Sequence, residues 1–508
     1  MKILLAQNLI HLPSHGGANR SNRLLMEELA RRGHTCLVVG PLTGALATGA
    51  VTGPDAAVAA LRERGATVLD DGPDAVVYRY RGVEVHAVRS PSLLPGRIRA
   101  AARVLGPEVT LTPSDDPGLM VLGAALAATP DRVVYLVHTL QQLPFGPGAF
   151  YPSAAGTAMV RRAAAVVAVS RAAQRYVAEH AGLDSVLIHP HVYGPGPFPD
   201  HGAAGPHDRA VTLINPCGYK GITVLLGLAD ALPDVPFLAV PTWGTQPTDL
   251  ERLRRRRNIE LTPPVDDIDD VLSRASVLLM PSLWDETFGY SAVEAQLRGI
   301  PVLASSVGGL AEAELGVAGT LPVRPVTGYA ARAGQARPEP VIPPQDVTPW
   351  RTALLALLED ETAYRARSAA SRRAAHAFVA GLDPGAPERF LTALSTARRA
   401  APAVPGAVAG PGPGASGAGI PSGPGDLSGA GIPSGPGDLS GAGIASEPGG
   451  LPGAGTIPGP GGAPRPVGTS GRTGDAGSSP ARAAALRALA ARRARTAPRP
   501  GDGGAPAD

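Results

Sequence analysis

Apolar positions along the first 400 residues fall into short β-branched runs, separated by stretches whose apolar residues recur at helical spacing. The runs KILLAQNLI, TCLVVG, EVTLT, RVVYLVH and AVVAVS predict strands, and stretches such as NRSNRLLMEELARRG predict amphipathic helices between several of them. Such alternation points to parallel sheets covered by helices on both faces. The segment AVVYRYRGVEVHAV departs from it and predicts a hairpin around Arg81-Gly82, inserted at the sheet's edge.

A second alternating series begins near Ala210. It runs through AVTLINP, a helix after Lys220, VPFLAV, a helix through Arg257, NIELTPP, a helix near Asp269, SVLLMPS, a helix after Glu286, and IPVLAS. Between the two series lies HPHVYGPGPFPDHGAAGPHD, whose density of Pro, Gly and His marks an interdomain connection. The expected fold class is therefore α/β, with two facing Rossmann-like domains. The first spans residues 1–190, a linker 191–209, and the second domain with its closing helices 210–400; the last helix is expected to pack back on the first domain.

Composition changes the picture beyond residue 400. From Ser416 the chain repeats with a period of twelve, as SGAGIPSGPGDL, the same again, then the degraded SGAGIASEPGGL. Gly, Pro and Ser dominate 401–508 and no aromatic occurs there, so this segment is expected to be a disordered low-complexity tail. Its stretch PARAAALRALAARRART predicts at most a weak helix. The two cysteines, Cys36 and Cys217, fit a reducing, cytoplasmic setting better than a structural disulfide. The N-terminal MKILLAQNLI reads as a first strand rather than a signal peptide, and no apolar run reaches the roughly 18 residues of a spanning helix.

A formal net charge of +3 with interspersed signs gives no field for nucleic acid. The arginine run from Arg252 to Arg257 leaves peripheral contact with anionic lipid open, against the plainer reading of a solvated helix end. Asp267 and Asp269 in DDIDD superficially resemble a metal-binding pair, but their place before a helix favours capping. No Cys/His cluster has metal-ligand spacing, so no metal and no cofactor are expected.

Loops that open helices at the carboxyl ends of parallel strands suit phosphates, because helix N-termini carry unpaired N–H groups. Three such loops stand out. In HLPSHGGANRSN, Gly16 and Gly17 allow close backbone approach, with Asn19 or Ser21 available to cap the helix; a plain tight turn competes with this reading. In NPCGYKG, Lys220 is one of two lysines in the whole chain, the other being Lys2, and arginine does every other cationic job. A compact ammonium there suits a diphosphate. In PSLWDETFGYSAVEAQLRGIPVLAS, a helix is expected from near Phe288. Glu286 then lies before it beside the N–H groups of Phe288 and Gly289, and Glu294 lies two turns inside, placed to accept from a vicinal diol.

These residues resemble the Glu-x7-Glu signature of the family 4 glycosyltransferases, retaining enzymes of the GT-B fold. NPCGYKG is similar to their donor-phosphate loop and GGANRSNRLLMEELARRGH to their N-terminal glycine loop. The resemblance covers about residues 1–400. It implies that Glu286 holds the donor sugar with the backbone at Phe288 and Gly289, that Glu294 holds the nucleotide ribose, and that Lys220 stabilises the leaving diphosphate. It further implies that His138 sits against the transferred sugar. Many members place an arginine ahead of the lysine, where this chain has Asn215.

The expected function is metal-independent, retaining transfer of a hexosyl unit from a nucleotide-sugar donor. The acceptor is unidentified and could be a small molecule, a glycan or a lipid-linked species. A nucleotide-sugar epimerase or hydrolase on the same scaffold, and a non-catalytic nucleotide-sugar-binding module, stand as alternatives.

Overall fold

A computed structural model describes residues 1–14, 16–43, 53–330 and 338–400. The repeat-bearing tail, for which disorder is expected, lies outside the described residues. The first sheet has nine strands: β1 (Lys2–Ala6), β2 (Thr35–Pro41), β3 (Thr67–Asp71), β4 (Ala75–Tyr80), β5 (Val83–Val88), β6 (Val109–Pro113), β7 (Val133–Val137), β8 (Ala165–Ala168) and β9 (Val186–Leu187), in the spatial order β3-β4-β5-β2-β1-β6-β7-β8-β9. Successive side chains of β1 explain why its run is continuously apolar. Ile3 and Leu5 enter the core under one face and Leu4 and Ala6 the core under the other, so neither face is free for polar residues.

The second sheet contains β10 (Ala210–Ile214), β11 (Phe237–Val240), β12 (Ile259–Leu261), β13 (Ala275–Met280) and β14 (Val302–Ala304), in the order β12-β11-β10-β13-β14 and parallel throughout. A small antiparallel pair, β15 (Gly328–Ala330) and β16 (Glu339–Val341), follows. In each sheet the strand order reverses at the first strand, β1 or β10. Open α/β sheets bind ligands outside the carboxyl ends of the strands at such a point. The loops leaving β1, β10 and β13 carry Gly16, Lys220 and Glu286 respectively.

Two features differ from expectation. The hairpin of β4 and β5 turns at Arg81 and Gly82, both at positive φ, but it is not the edge of the sheet. Strand β5 pairs in parallel with β2, and β3 forms the edge beyond β4. Strands β3, β9, β15 and β16 were not among the expected strands; β9 has only two residues, too few for any periodic pattern.

Three helices, Thr348–Glu359, Glu361–Ala380 and Ala386–Ala400, close the described chain. Trp350 is fully buried in the second sheet's core and donates its indole N–H to Pro322 O at 3.0 Å. The last helix does return to the first sheet. Leu391 packs with Ile3 and Leu5, and Glu388 accepts from Arg32 and meets His34, each at 2.9 Å.

Candidate active site

A cleft of about 450 Å³ lies between the two sheets, lined by Gly16, Gly17, Arg20 and Arg23 from the first half and by Asn215, Lys220, Trp243, Ser282, Tyr290 and Glu294 from the second, among others. Three helices begin at it: Gly17–Arg31, Ile222–Ala231 and Tyr290–Leu297. Each is preceded by a glycine at positive φ: Gly16 at 111°, Gly221 at 75° and Gly289 at 110°. None has a side-chain cap or an acidic residue in its first turn. Three helix starts around one space are thus left without a side-chain cap or a first-turn acid, an arrangement suited to an anionic group.

Side-chain size enforces this geometry. A Cβ at Gly221 would sit 1.9 Å from Pro281 O, so the loops after β10 and β13 can only meet through a glycine. A Cβ at Gly17 would come within 2.7 Å of the Tyr290 ring, which brings the first and third helix starts together across the halves.

Lys220 donates to Glu286 Oε1, and the same oxygen accepts from Ser282 Oγ at 2.6 Å and from Trp284 Nε1 at 3.2 Å. Burial alone would raise the Glu286 carboxyl, but the Lys220 ammonium, with the Ser282 and Trp284 donors, holds it below the usual carboxylate range. The ammonium also lies 4.9 Å from the Trp284 ring and 6.0 Å from the Trp243 ring. Phe150, from the loop after β7, packs on Tyr219, Trp284 and Tyr329 with centroids 6.0, 6.5 and 4.8 Å away. An aromatic shell contributed by both halves therefore encloses the ion pair and lowers its exposure to water.

Glu294 lies on the helix Tyr290–Leu297 and is paired by Arg20, which reaches over from the first helix of the other half. This helix starts two residues later than expected. Gly289 breaks the chain at φ 110°, so Phe288 remains in the loop with its side chain buried against Phe378, His189 and Tyr290. Glu294 is accordingly the fifth helical residue, little more than one turn inside. Asn19 and Ser21 do not cap the first helix. Both lie within it and are buried, and its N-cap is Gly16.

Asn215, at φ 62°, accepts from Gly244 N–H at 3.0 Å through Oδ1, while its Nδ2 is buried with no partner among the described residues. Asp267 accepts the backbone N–H of Asp269 at 2.9 Å. Asp269 itself binds Arg298, at 2.5 and 2.7 Å, and His201, at 2.8 Å, pinning the connecting segment to the second half. Among the described residues no group of three or more His, Cys, Asp or Glu side chains is placed to hold a metal ion.

His138 follows β7 and is not among the cleft's lining residues; it lines a second, largely apolar cavity of about 660 Å³. A chain of amides sets its tautomer. Gln7 Nε2 donates to Leu9 O at 2.9 Å, Asn22 Nδ2 donates to Gln7 Oε1 at 3.1 Å, and Asn22 Oδ1 therefore faces His138 Nε2 at 2.8 Å as an acceptor. Nε2 carries the proton, and Nδ1 is left as a buried acceptor with no partner among the described residues. Burial pushes this imidazole down to about 4, so it is neutral near pH 7.

Contacts between the halves surround the site. Gln141 donates to Asp285 O at 2.9 Å, Ser170 Oγ donates to Thr287 O, and the Glu312 carboxylate accepts the backbone N–H groups of Arg171 and Ala172 at 3.2 Å each. Sequence reasoning missed Arg20, Trp243 and Trp284. Two of the chain's three tryptophans flanking the loops around a rare lysine were a usable signal, since Trp is seldom spent on an ordinary loop. The partner of Arg20 lies 274 positions away and left no local sign.

Comparison with known proteins accounts for this arrangement. The family model for Glycosyltransferase Family 4 matches residues 15–192, and that for Glycosyl transferases group 1 matches residues 216–360. A segment of 84 residues is 43% identical to D-inositol 3-phosphate glycosyltransferase of Streptomyces avermitilis, covering 15% of this chain and 18% of that protein. Over 91 residues the chain is 44% identical to 2-deoxystreptamine glucosyltransferase of Streptomyces kanamyceticus, covering 17% of this chain and 23% of that protein. The chain thus spans about a fifth of the length of these curated relatives. Sucrose-phosphate synthase from Thermosynechococcus elongatus superposes with a TM-score of 0.53 at 18% identity, over 78% of this chain and 98% of that one. HepE from Anabaena, crystallised with UDP and glucose, superposes with a TM-score of 0.50 at 19% identity, over 78% and 100%. The two superpositions establish a shared GT-B fold, and with one family model over each sheet in chain order, the chain belongs to the family 4 glycosyltransferases.

Proposed function

We propose that this chain is a retaining, metal-independent glycosyltransferase that moves a hexosyl unit from a nucleotide-diphosphate sugar to a hydroxyl acceptor. The observation that carries the reading is the Lys220–Glu286 pair at a cleft onto which three uncapped helix starts open. A diphosphate entering that space offers Lys220 a more highly charged partner than Glu286. Once released, Glu286 is free to accept from the sugar's hydroxyls, beside the backbone N–H groups of Phe288 and Gly289. Glu294 takes the ribose diol, and Pro264, Val265 and Asp266 line the cleft where the base would lie.

Catalysis in this reading is electrostatic. As the bond from the anomeric carbon to the diphosphate oxygen breaks, negative charge grows on the diphosphate, where Lys220 and the helix starts already stand. The acceptor oxygen attacks the same face of the sugar, and its proton passes to the departing diphosphate oxygen. Configuration at the anomeric carbon is thereby retained. The aromatic shell and the contacts between the halves exclude water and limit donor hydrolysis. The donor is assigned mainly to the second half and the acceptor to the first, where the loop carrying Gln141 and Phe150 closes over the site.

The test is nucleotide diphosphate release from UDP-, GDP- and ADP-sugars, with UDP-glucose first. Acceptors begin with D-inositol 3-phosphate and 2-deoxystreptamine, the compounds that name the relatives above. Release that depends on an acceptor, and that Lys220→Ala and Glu286→Ala both abolish, is the expected result. Acceptor-independent turnover would mean a hydrolase or epimerase, and donor binding without turnover a binding module.

A further inference from the structure

The cleft's arginines are not equivalent. Arg23 donates to Ser14 Oγ and Glu27 Oε1, both at 2.7 Å, Arg81 reaches Glu27 at 3.2 Å, and Arg64 reaches Asp266 at 3.1 Å. Each of these pairs leaves Glu286 and Glu294 untouched. Arg20 is the one of the four paired with the carboxylate assigned to the donor's ribose, and it crosses between the halves to reach it. Its side chain is 34% exposed in the cleft, while that of Glu294 is 6% exposed, and the Arg20 guanidinium donates to Oε1 of that carboxylate.

Glu294 cannot present Oε1 to a ribose diol and to the Arg20 guanidinium at once. A nucleotide that docks its diol on Glu294 displaces Arg20. The displaced cation is rooted in the first turn of the helix that begins at Gly17, in the same cleft as Lys220. Asn215, in the loop after β10, brings no charge, and its Oδ1 is already used by Gly244. The diphosphate of the same nucleotide is the anion within this space that a freed guanidinium can grip with two parallel N–H donors.

We infer that Arg20 is a donor-phosphate residue supplied by the opposite half, parked on Glu294 while the cleft is empty and handed to the diphosphate when the ribose takes its place. This rests on the donor reading above and deepens it. The handover couples recognition of the nucleoside to closure of the halves, since the arginine remains a bridge in both states but changes which partner it bridges to.

The handover gives two effects of opposite sign. Arg20→Gln removes a competitor for the diol and a ligand for the diphosphate. Equilibrium titration with UDP and with uridine, or with whichever of the GDP/guanosine and ADP/adenosine pairs the wild type binds, separates them. Arg20→Gln is expected to weaken the diphosphate tenfold or more while leaving the nucleoside unchanged or bound more tightly, and Arg20→Lys to recover part of the loss. Melting temperatures of both variants show whether the fold is kept. Equal weakening of both ligands would reduce Arg20 to a structural strut, and tightening of both would reduce it to a plug; either overturns the inference alone. Failure of the wild type to bind any nucleoside diphosphate overturns the donor reading and this inference with it.

Discussion

Ser153, Ser170 and Asp360 each place a side-chain oxygen on a backbone N–H in the first turn of their helices, and Glu312 adds a carboxylate from the other half to the start at Arg171. Gly16, Gly221 and Gly289 supply no side-chain cap to the helices that begin at the cleft. The first group satisfies its own donors and serves the scaffold. The second leaves its donors and its positive helix ends for something not part of the chain. A side-chain cap in place of glycine at such a start is worth only about a few tenths of a kcal/mol, so the bare starts cost the fold little while leaving their N–H groups to a ligand that can add stability on binding.

If that contrast is functional, the largest effect should fall on the cation among the bare starts. Lys220→Met is expected to lower turnover by about 10²–10³, the loss typical of one preorganised group on developing charge. Steady-state release of the nucleotide diphosphate measures it. A change below tenfold would place the leaving group elsewhere.

A second contrast lies between the charged cleft and the neutral amide chain that ends at His138. Folded His138 is held at about 4 against an ordinary 6.5, so between those values the unfolded chain takes up a proton that the folded chain does not. Stability is therefore expected to fall as pH drops from 6.5 towards 4, by up to roughly 3 kcal/mol from this group. Buried His11, held at about 3, adds to the fall in the same direction. Thermal unfolding across that range should show the loss, and His138→Asn should flatten it.

Adding an anion to a bare start sharpens the comparison. Ser291→Asp, in the first turn of the helix that begins at Tyr290, is expected to raise stability by about 0.3–1 kcal/mol through the helix dipole. It should also weaken nucleoside diphosphate binding about tenfold, because the new carboxylate occupies the ligand's electrostatic position. Ser153→Ala at a capped start should do the reverse: a loss of about 1 kcal/mol in chemical denaturation, with ligand affinity unchanged.

The alternation of apolar runs and helical stretches makes both sheets legible in the sequence, because parallel strands buried on two faces leave a strong, local signal. Lys220, Glu286 and Glu294 were legible for a related reason, since each sits in a loop or helix start whose chemistry is written within a few residues. What escaped was either too short or too distant. Strand β9 has two residues, and β3 and β15–β16 pair at edges where burial is partial. Gly289 moved the third helix start past Phe288 through a backbone torsion that spacing does not encode. Arg20 reads as an ordinary helix-surface arginine until the opposite half brings Glu294 against it, and His138 gains its tautomer only from the amides of Gln7 and Asn22.

The central claim is that the Lys220–Glu286 pair is a resting arrangement which the donor breaks. Co-crystallisation with the nucleoside diphosphate that binds most tightly tests it directly. The account predicts the diphosphate against Lys220 and the helix starts at Gly17 and Ile222, the ribose on Glu294, and Glu286 released from the ammonium. A bound nucleotide with Lys220 still on Glu286, or with its ribose away from Glu294, would contradict it.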